Sequence, residues 1–475
     1  MKRAAVVILF LAAGMQAGLS QWSGYTATQG SALDGGLGMT WIDEDPYFNI
    51  SFQPDLAIGK FGIGLNINLL YNTKTGKFRS QDWDSKYDYA RIIRYLRYGR
   101  KNDPVYGQIG ALDAARIGHG FILNYYNNQA IYDERKIGLS FDVDFGLFGF
   151  ETMTNNLGRM EVLGMRGYVR PIYKRPVPVL RNLAFGASYV TDVDPDGNRN
   201  TDDGIAFWGV DVELPLIRSD LLKVKLFADH AAIVNPPSET DMIGFIVPDP
   251  PHMEGRGKKG SGSGRTVGLL SDFHLFSFLN MTAQFERRWL GQGFIPNYFG
   301  PLYEIMRHTT VGELAGYYES LGGDLAAIIP YLPLVKNDPV NQKMLLPLMT
   351  GKRTGWFGGL NLDFLRLIQV IGSFQMIDQN PGSGVLNCGA GLSQEIPLIS
   401  LEASYTKIGV EKLKDIRTLD SRSVARVGLG YKIKPYLLLY VDYIWTFQWD
   451  DEAGSYKPQE RIQPRLAFRM PINIR

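Results

Sequence analysis

The sequence predicts an all-β fold, an antiparallel transmembrane β-barrel of about 20 strands (16–20) with a partly helical loop insert. Three observations predict it. Segments in which every second residue is apolar recur from Leu37 to Met470, tight turns alternate with long polar connections, and one strand passes from aliphatic to aromatic residues along its length.

Alternation comes first because it sets the element type. Phe61, Ile63, Leu65, Ile67 and Leu69 alternate with Gly62, Gly64, Asn66 and Asn68, and Ile137, Leu139, Phe141, Val143 and Phe145 with Gly138, Ser140, Asp142 and Asp144. A period of two puts each set on one face of a strand, whereas a helix would scramble them. Leu386, Cys388, Ala390 and Leu392 oppose Asn387, Gly389, Gly391 and Ser393, and Leu401, Ala403 and Tyr405 oppose Glu402, Ser404 and Thr406. Cys388, the single cysteine, therefore sits on an apolar face and has no disulfide partner.

The other two observations separate a barrel from a soluble sandwich. Leu437, Leu439 and Val441 share a face with Tyr443, Trp445, Phe447 and Trp449. That gradient suits hydrocarbon followed by a wet interface, where amphipathic rings form a girdle. Turns near Leu147, Leu275, Arg366, Pro397 and Lys434 are short, while Asn72 to Tyr87, Pro236 to Gly264 and Gly291 to Thr354 are long. Leu37 to Asp43 is expected as the first strand and Ile462 to Met470 as the last. Asp88 to Asn127 resists the pattern: Arg91, Arg94 and Arg97 recur at a spacing of three, fitting a bent strand or a short helix inside the lumen. Pro171, Pro176 and Pro178 mark a longer turn, since proline cannot donate to a ladder.

At the N-terminus Lys2 and Arg3 precede an uncharged run from Ala4 to Gly14, then small residues. The run is too short to span a bilayer and reads as a cleaved signal peptide, so residues 1–20 are expected to be removed. Residues 21–475 are expected to form one barrel domain, with 291–354 as a long, partly helical outer or lumen loop. The 50 basic and 48 acidic residues balance once Lys2 and Arg3 are gone, which speaks against a nucleic-acid partner.

In the final strand Ile462, Pro464, Leu466, Phe468 and Met470 oppose Gln463, Arg465, Ala467 and Arg469. With the alternation and the loop asymmetry, the chain resembles a porin-like bacterial outer-membrane β-barrel protein. It departs from the commonest pattern, which ends on an aromatic residue, by ending Pro471, Ile472, Asn473, Ile474, Arg475. The resemblance implies an outer-membrane location and contact with its lipid; a homo-oligomer is compatible with it.

Asp192, Asp194, Asp196, Gly197, Asn198, Asn200 and Asp203 resemble the calcium loop of EF-hand and thrombospondin-repeat proteins. A hard cation needs six to eight oxygens and a glycine at the sixth place for the turn. Asp192, Asp194, Asp196, Asn198, Asn200 and Asp203 are the candidate calcium ligands, although Asp203 replaces a longer glutamate. The plain alternative is a solvated hairpin loop.

Strand parity turns Asp142, Asp144, Asp211, Glu213, Lys223, Lys225, Asp229, Glu286, Arg288, Arg426, Asp442, Arg465 and Arg469 towards the lumen. They either line a pore as acidic and basic walls or fill it as ion pairs. His119, His230, His252, His274 and His308 show no metal-ligand spacing, and no Gly-x-Ser-x-Gly elbow occurs. The expected function is a non-enzymatic channel or porin-like transporter for small polar solutes. The alternatives are a scaffold barrel whose loops bind a partner and a rim hydrolase using His119 or His230. Tyr298 to Leu348, with helical stretches expected at Leu302 to His308 and Val311 to Ile329, is expected to narrow or cap the pore.

Overall fold

A strand with one apolar and one polar face must bury one of them, and in lipid its edges must also be paired. The computed structural model describes residues 31–42, 45–101, 103–129, 135–195, 204–234, 262–276, 278–291, 294–306, 353–365, 367–378, 383–393, 396–420, 423–450 and 455–472. The first strands are β1 (Ser31–Ile42), β2 (Asp45–Phe52), β3 (Asp55–Ile58), β4 (Phe61–Leu65), β5 (Ile67–Asn72) and β6 (Lys77–Phe78). A one-turn helix, α1 (Lys86–Ala90), leads to β7 (Ile93–Tyr98), β8 (Val105–Gly110), β9 (Gly138–Asp144), β10 (Phe148–Thr154), β11 (Val162–Val169) and β12 (Ala184–Asp192). Longer strands follow: β13 (Ile205–Arg218), β14 (Leu222–Ile233), β15 (Ser263–Leu275), β16 (Leu279–Leu290), then a short helix α2 (Tyr303–Met306). The wall is completed by β17 (Arg353–Phe364), β18 (Ile368–Ile377), β19 (Gly384–Leu392), β20 (Ile399–Val410), β21 (Ser423–Lys434), β22 (Leu437–Asp450) and β23 (Ser455–Ile472).

Among the described residues every ladder between these strands is antiparallel, and followed in order the ladders return to their start. β1 pairs with β2, and β2 and β3 pair with β5 and β4. From β4 the ladder passes to β7 and β8, then strand by strand to β23. β23 pairs back onto β1 from Ser31↔Ile472 to Gly38↔Arg465. Because β2 and β3 are one strand broken at Gln53 and Pro54, β4 and β5 one broken at Asn66, and β6 only an appendage of β5, the described residues form a ring of twenty crossings. An even ring of antiparallel strands closes without an edge.

Its solvation is inverted relative to a soluble protein. Phe61, Phe285 and Leu439 are 65%, 57% and 54% exposed, while Glu286 and Arg288 are 1% exposed. Large apolar groups therefore face outward and charges inward, an arrangement that water would penalise and lipid rewards. Short turns at 59–60, 219–221 and 435–436 lie at one end with both chain ends. The strand ends that flank the long connections 73–92, 111–137, 193–204, 234–262 and 291–352 meet at the other. The first end is the periplasmic one in this architecture. The proline-marked connection is a longer turn at 170–183 on that side.

The resistant region resolves into α1 and two short strands. β7 pairs Gly64↔Tyr95 and Leu65↔Ile93, so Arg94 is an extra residue, a bulge that breaks the parity of the arginines. β8 stops at Gly110, and the chain then leaves the wall.

Candidate functional site: an inward plug on a belt of charges

The segment 111–128 leaves β8 and runs into the lumen, where Leu112, Ile117, Phe121, Ile122, Leu123 and Tyr126 are all buried. It meets a second inward segment, 294–306. Phe299 N–H donates to Ile122 O, Asn124 N–H to Phe299 O, and Asn297 N–H to Phe121 O. Together they enclose an apolar core inside the barrel with lumen-facing Met153, Val162, Val190, Phe207, Ile233 and Leu290 of the wall. Phe207 packs edge-on to Phe294 and Phe299. The lumen is not uniformly polar: its outer half, on this side, is filled with hydrocarbon.

The tip of the first segment is Gly118-His119-Gly120. Both glycines are left-handed, with φ of 56° and 89°, and a Cβ at Gly120 would lie 2.6 Å from the Asn124 side chain. The turn thus requires glycine on each side of the histidine. His119 Nδ1 lies 2.8 Å from Asp229 and Nε2 3.2 Å from Glu213. Its ring stacks on Phe227 at 4.1 Å, and its carbonyl accepts from Gln284 Nε2 at 3.1 Å. Burial pulls the imidazolium pKa down, but the charge of Asp229 and hydrogen bonds to Asp229 and Glu213 outweigh it, pushing it up to about 9. His119 is thus a cation bridging two carboxylates. The nitrogen that would serve a nucleophile is held by Glu213.

That bridge belongs to a belt of paired charges along the wall. Lys101 pairs with Asp142 at 2.7 Å and reaches Glu151. Arg166 Nη1 donates to Glu151 at 2.6 Å, while its Nε and Nη2 form a fork on Asp211 at 2.8 and 2.6 Å. Glu213 also accepts from Lys225 at 2.9 Å, and Gly118 N–H donates to Glu151. Further round, Glu286 accepts from Gln284 and from Arg288, whose Nη1 donates to Gln375 at 2.9 Å. In this low-dielectric interior each charge is tolerable because it is paired. Above the belt, Lys136 bridges Glu161 and Glu304 at 3.0 and 2.8 Å, and Tyr126 donates to Glu304.

No family model and no curated relative matches the chain. Solved structures do, at low identity. Wzi, an Escherichia coli outer-membrane protein of group 1 capsule assembly described as a carbohydrate-binding β-barrel, is 9% identical at a TM-score of 0.33. The match covers 95% of this chain and 86% of that one. The ferric-catecholate import receptor Fiu of E. coli K12 is 8% identical at 0.33, over 93% and 82%. CdiB from Acinetobacter baumannii is 7% identical at 0.26, over 93% of this chain and 60% of its own. The β23–β1 closure and the apolar outer face by themselves make the fold a membrane-spanning β-barrel of the outer-membrane type.

Within this barrel most of the residues assigned to the lumen by parity gather on two walls. Asp142, Asp211, Glu213, Lys225, Asp229, Glu286 and Arg288 join the belt, and Asp144 pairs with Arg170 at 2.7 Å near the periplasmic end. On the opposite wall Arg426 and Arg465 both reach Asp442, at 3.2 and 2.8 Å, and the Arg465 guanidinium lies 4.4 Å from the Tyr440 ring centroid. Lys223 is exposed towards the periplasmic rim. The backbone of Arg469 pairs with Asp34; its side chain lies outside the described residues.

Of the calcium candidates, Asp192 is buried at the end of β12 and accepts from Tyr303 Oη at 2.8 Å and from Asp194 N–H at 3.1 Å. Asp194 is buried beside it. Asp196, Asn198, Asn200 and Asp203 lie outside the described residues. So does most of the expected insert, including Val311 to Ile329, whereas Tyr298 to Met306 is placed in the lumen with a single helical turn.

Sequence reasoning missed Lys101, Glu151 and Arg166. Glu151 and Arg166 do alternate with outward Phe150 and Met165, but Thr152 and Gly167 blur the apolar face, leaving a weak signal. Lys101 sits in a turn, where parity says nothing.

Proposed function

We propose that the protein is an outer-membrane channel for small polar solutes, its passage confined to one side of the lumen by the inward segments. The observation that carries this reading is the contrast between the two inner walls. Beside the plug, Arg166 and Arg288 side chains are 4% and 1% exposed, but on the far wall Arg426 and Arg465 are 36% and 27% exposed to water. That far wall is faced with small and polar groups such as Gly389, Ser404, Gly38, Asn66 and Asn68. Side chains this small leave room, and a ring of twenty strands is wider than one that side chains fill.

A passage lined by amides, hydroxyls and a carboxylate shared by two arginines suits hydrated polar solutes of either charge. Planar-bilayer conductance with the purified protein, together with solute uptake into liposomes, tests it. Conductance with uptake of small sugars or amino acids is expected. Silence in both assays overturns the channel, and a scaffold barrel acting through its outer loops then leads.

A further inference from the structure

The lipid-facing side carries a feature that transport does not use. On β15 the outward residues run Arg265, Val267, Leu269, and onward to Leu275 near the periplasmic turn. Val267 to Leu275 is about nine residues, the length of one tilted strand crossing of the hydrocarbon. Arg265 is the next outward position and stands at the outer boundary. A guanidinium there is costly within the hydrocarbon and tolerable only at an interface that solvates or neutralises it.

Its neighbours mark the same level. Directly across the ladders Arg265 faces His230 on β14 and Trp289 on β16, and Trp208 of β13 packs edge-on to His230 at 5.5 Å. Trp208 and Trp289 are 41% and 45% exposed on the outer face, where indole rings favour the headgroup boundary. Diagonal to Arg265 lies Arg287, which faces Trp356 of β17 and pairs with Asp378 at 2.8 Å. Diagonal cross-strand neighbours lie about 7–8 Å apart, close enough for two guanidinium groups to serve one headgroup. Among the described residues no carboxylate pairs with Arg265, so Asp378 leaves the patch with a net positive charge.

We propose that this outward patch binds a lipid with an anionic phosphate headgroup, held by Arg265 and Arg287 and flanked by Trp208, His230, Trp289 and Trp356. Arginine grips phosphate through parallel N–H donors, and the tryptophans beside it hold the same headgroup boundary. Charge complementarity selects this occupant over a neutral lipid or a second barrel, neither of which would neutralise Arg265.

The test uses the full chain, delipidated in neutral detergent and reconstituted in phosphatidylcholine nanodiscs with or without a minor fraction of phosphatidic acid. Retained lipid is counted by native mass spectrometry, and thermal unfolding is followed by heat-modifiable migration. Preferential retention of phosphatidic acid and a raised midpoint are expected for the wild type. Arg265→Gln should weaken retention by about tenfold, the loss of one charge-assisted contact, and Arg265→Lys should recover part of it. Arg265→Gln combined with Arg287→Gln should retain neither lipid selectively. Equal retention in wild type and the double variant, both migrating as folded barrels, would overturn the site. A midpoint raised as much by inorganic phosphate alone would overturn the lipid and leave a simple anion site.

Discussion

Replacing His119 by alanine should release the plug from the wall. The substitution removes two charge-assisted contacts, to Asp229 at 2.8 Å and Glu213 at 3.2 Å, and the stack on Phe227. Glu213 keeps Lys225, but Asp229 is left as a buried carboxylate without its cation, so the cost is that of breaking a buried pair, about 3–5 kcal/mol. The pKa gives a consistent figure: about 9 in place against an ordinary 6.5 corresponds to about 3 kcal/mol favouring the docked imidazolium. Since the folded pKa is raised, this contribution is complete below pH about 6.5 and is lost as the pH climbs through about 9. The groups facing the ring are Asp229, Glu213 and the Asp211–Arg166 pair, with Lys225 behind Glu213. The wall is held by its closed ladder, so the loss should appear in the two inward segments, 111–128 and the 294–306 stretch bonded to it, and not in the strands. Hydrogen exchange there should accelerate by about a hundredfold to a few thousandfold in His119→Ala, and single-channel conductance should rise. The wild type should show the same changes as the pH is raised from 6 to about 10, and the variant should lose that dependence. Unchanged exchange and conductance in the variant would refute the latch.

Other expectations follow from the wall. Val441→Arg, near the middle of the outward row of β22, should cut the yield of folded barrel, because a charge on the lipid face costs about 2–4 kcal/mol at mid-depth, whereas lumen-facing Gln369→Arg should fold normally; equal yields would show the two faces to be misassigned. Gly268→Val should cost about 1–3 kcal/mol of stability and so lower the denaturant midpoint, since even a Cβ there would lie 2.3 Å from the Phe227 ring; an unshifted midpoint would mean the ring moves freely. If the loop from Asp192 to Asp203 takes calcium, as its ligand spacing proposes, protease should cut it faster in chelator than in calcium while the barrel stays folded. Identical cleavage rates would count against the ion.

The sequence by itself determined the wall. A period of two is a local property: once Phe61, Ile63 and Leu65 face one way, Gly62, Gly64 and Asn66 must face the other, whatever lies elsewhere in the chain. Turn chemistry and loop lengths are equally local, so crossings, their number and the two ends of the barrel were legible. The residues on the inner face were legible for the same reason, as Asp442 and Glu286 illustrate. What those residues do there was not. That Asp229 receives His119, 110 positions away, and that Tyr126 meets Glu304 across 178, depends on which strands stand opposite after closure. Alternation fixes only which face a residue is on, so it could not separate a charged pore wall from a belt of ion pairs. Nor could it show that a segment without strand pattern would leave the wall at Gly110 and fill one side of the lumen. Only the tertiary structure decided that, because a buried charge is stable where a partner from a distant strand reaches it.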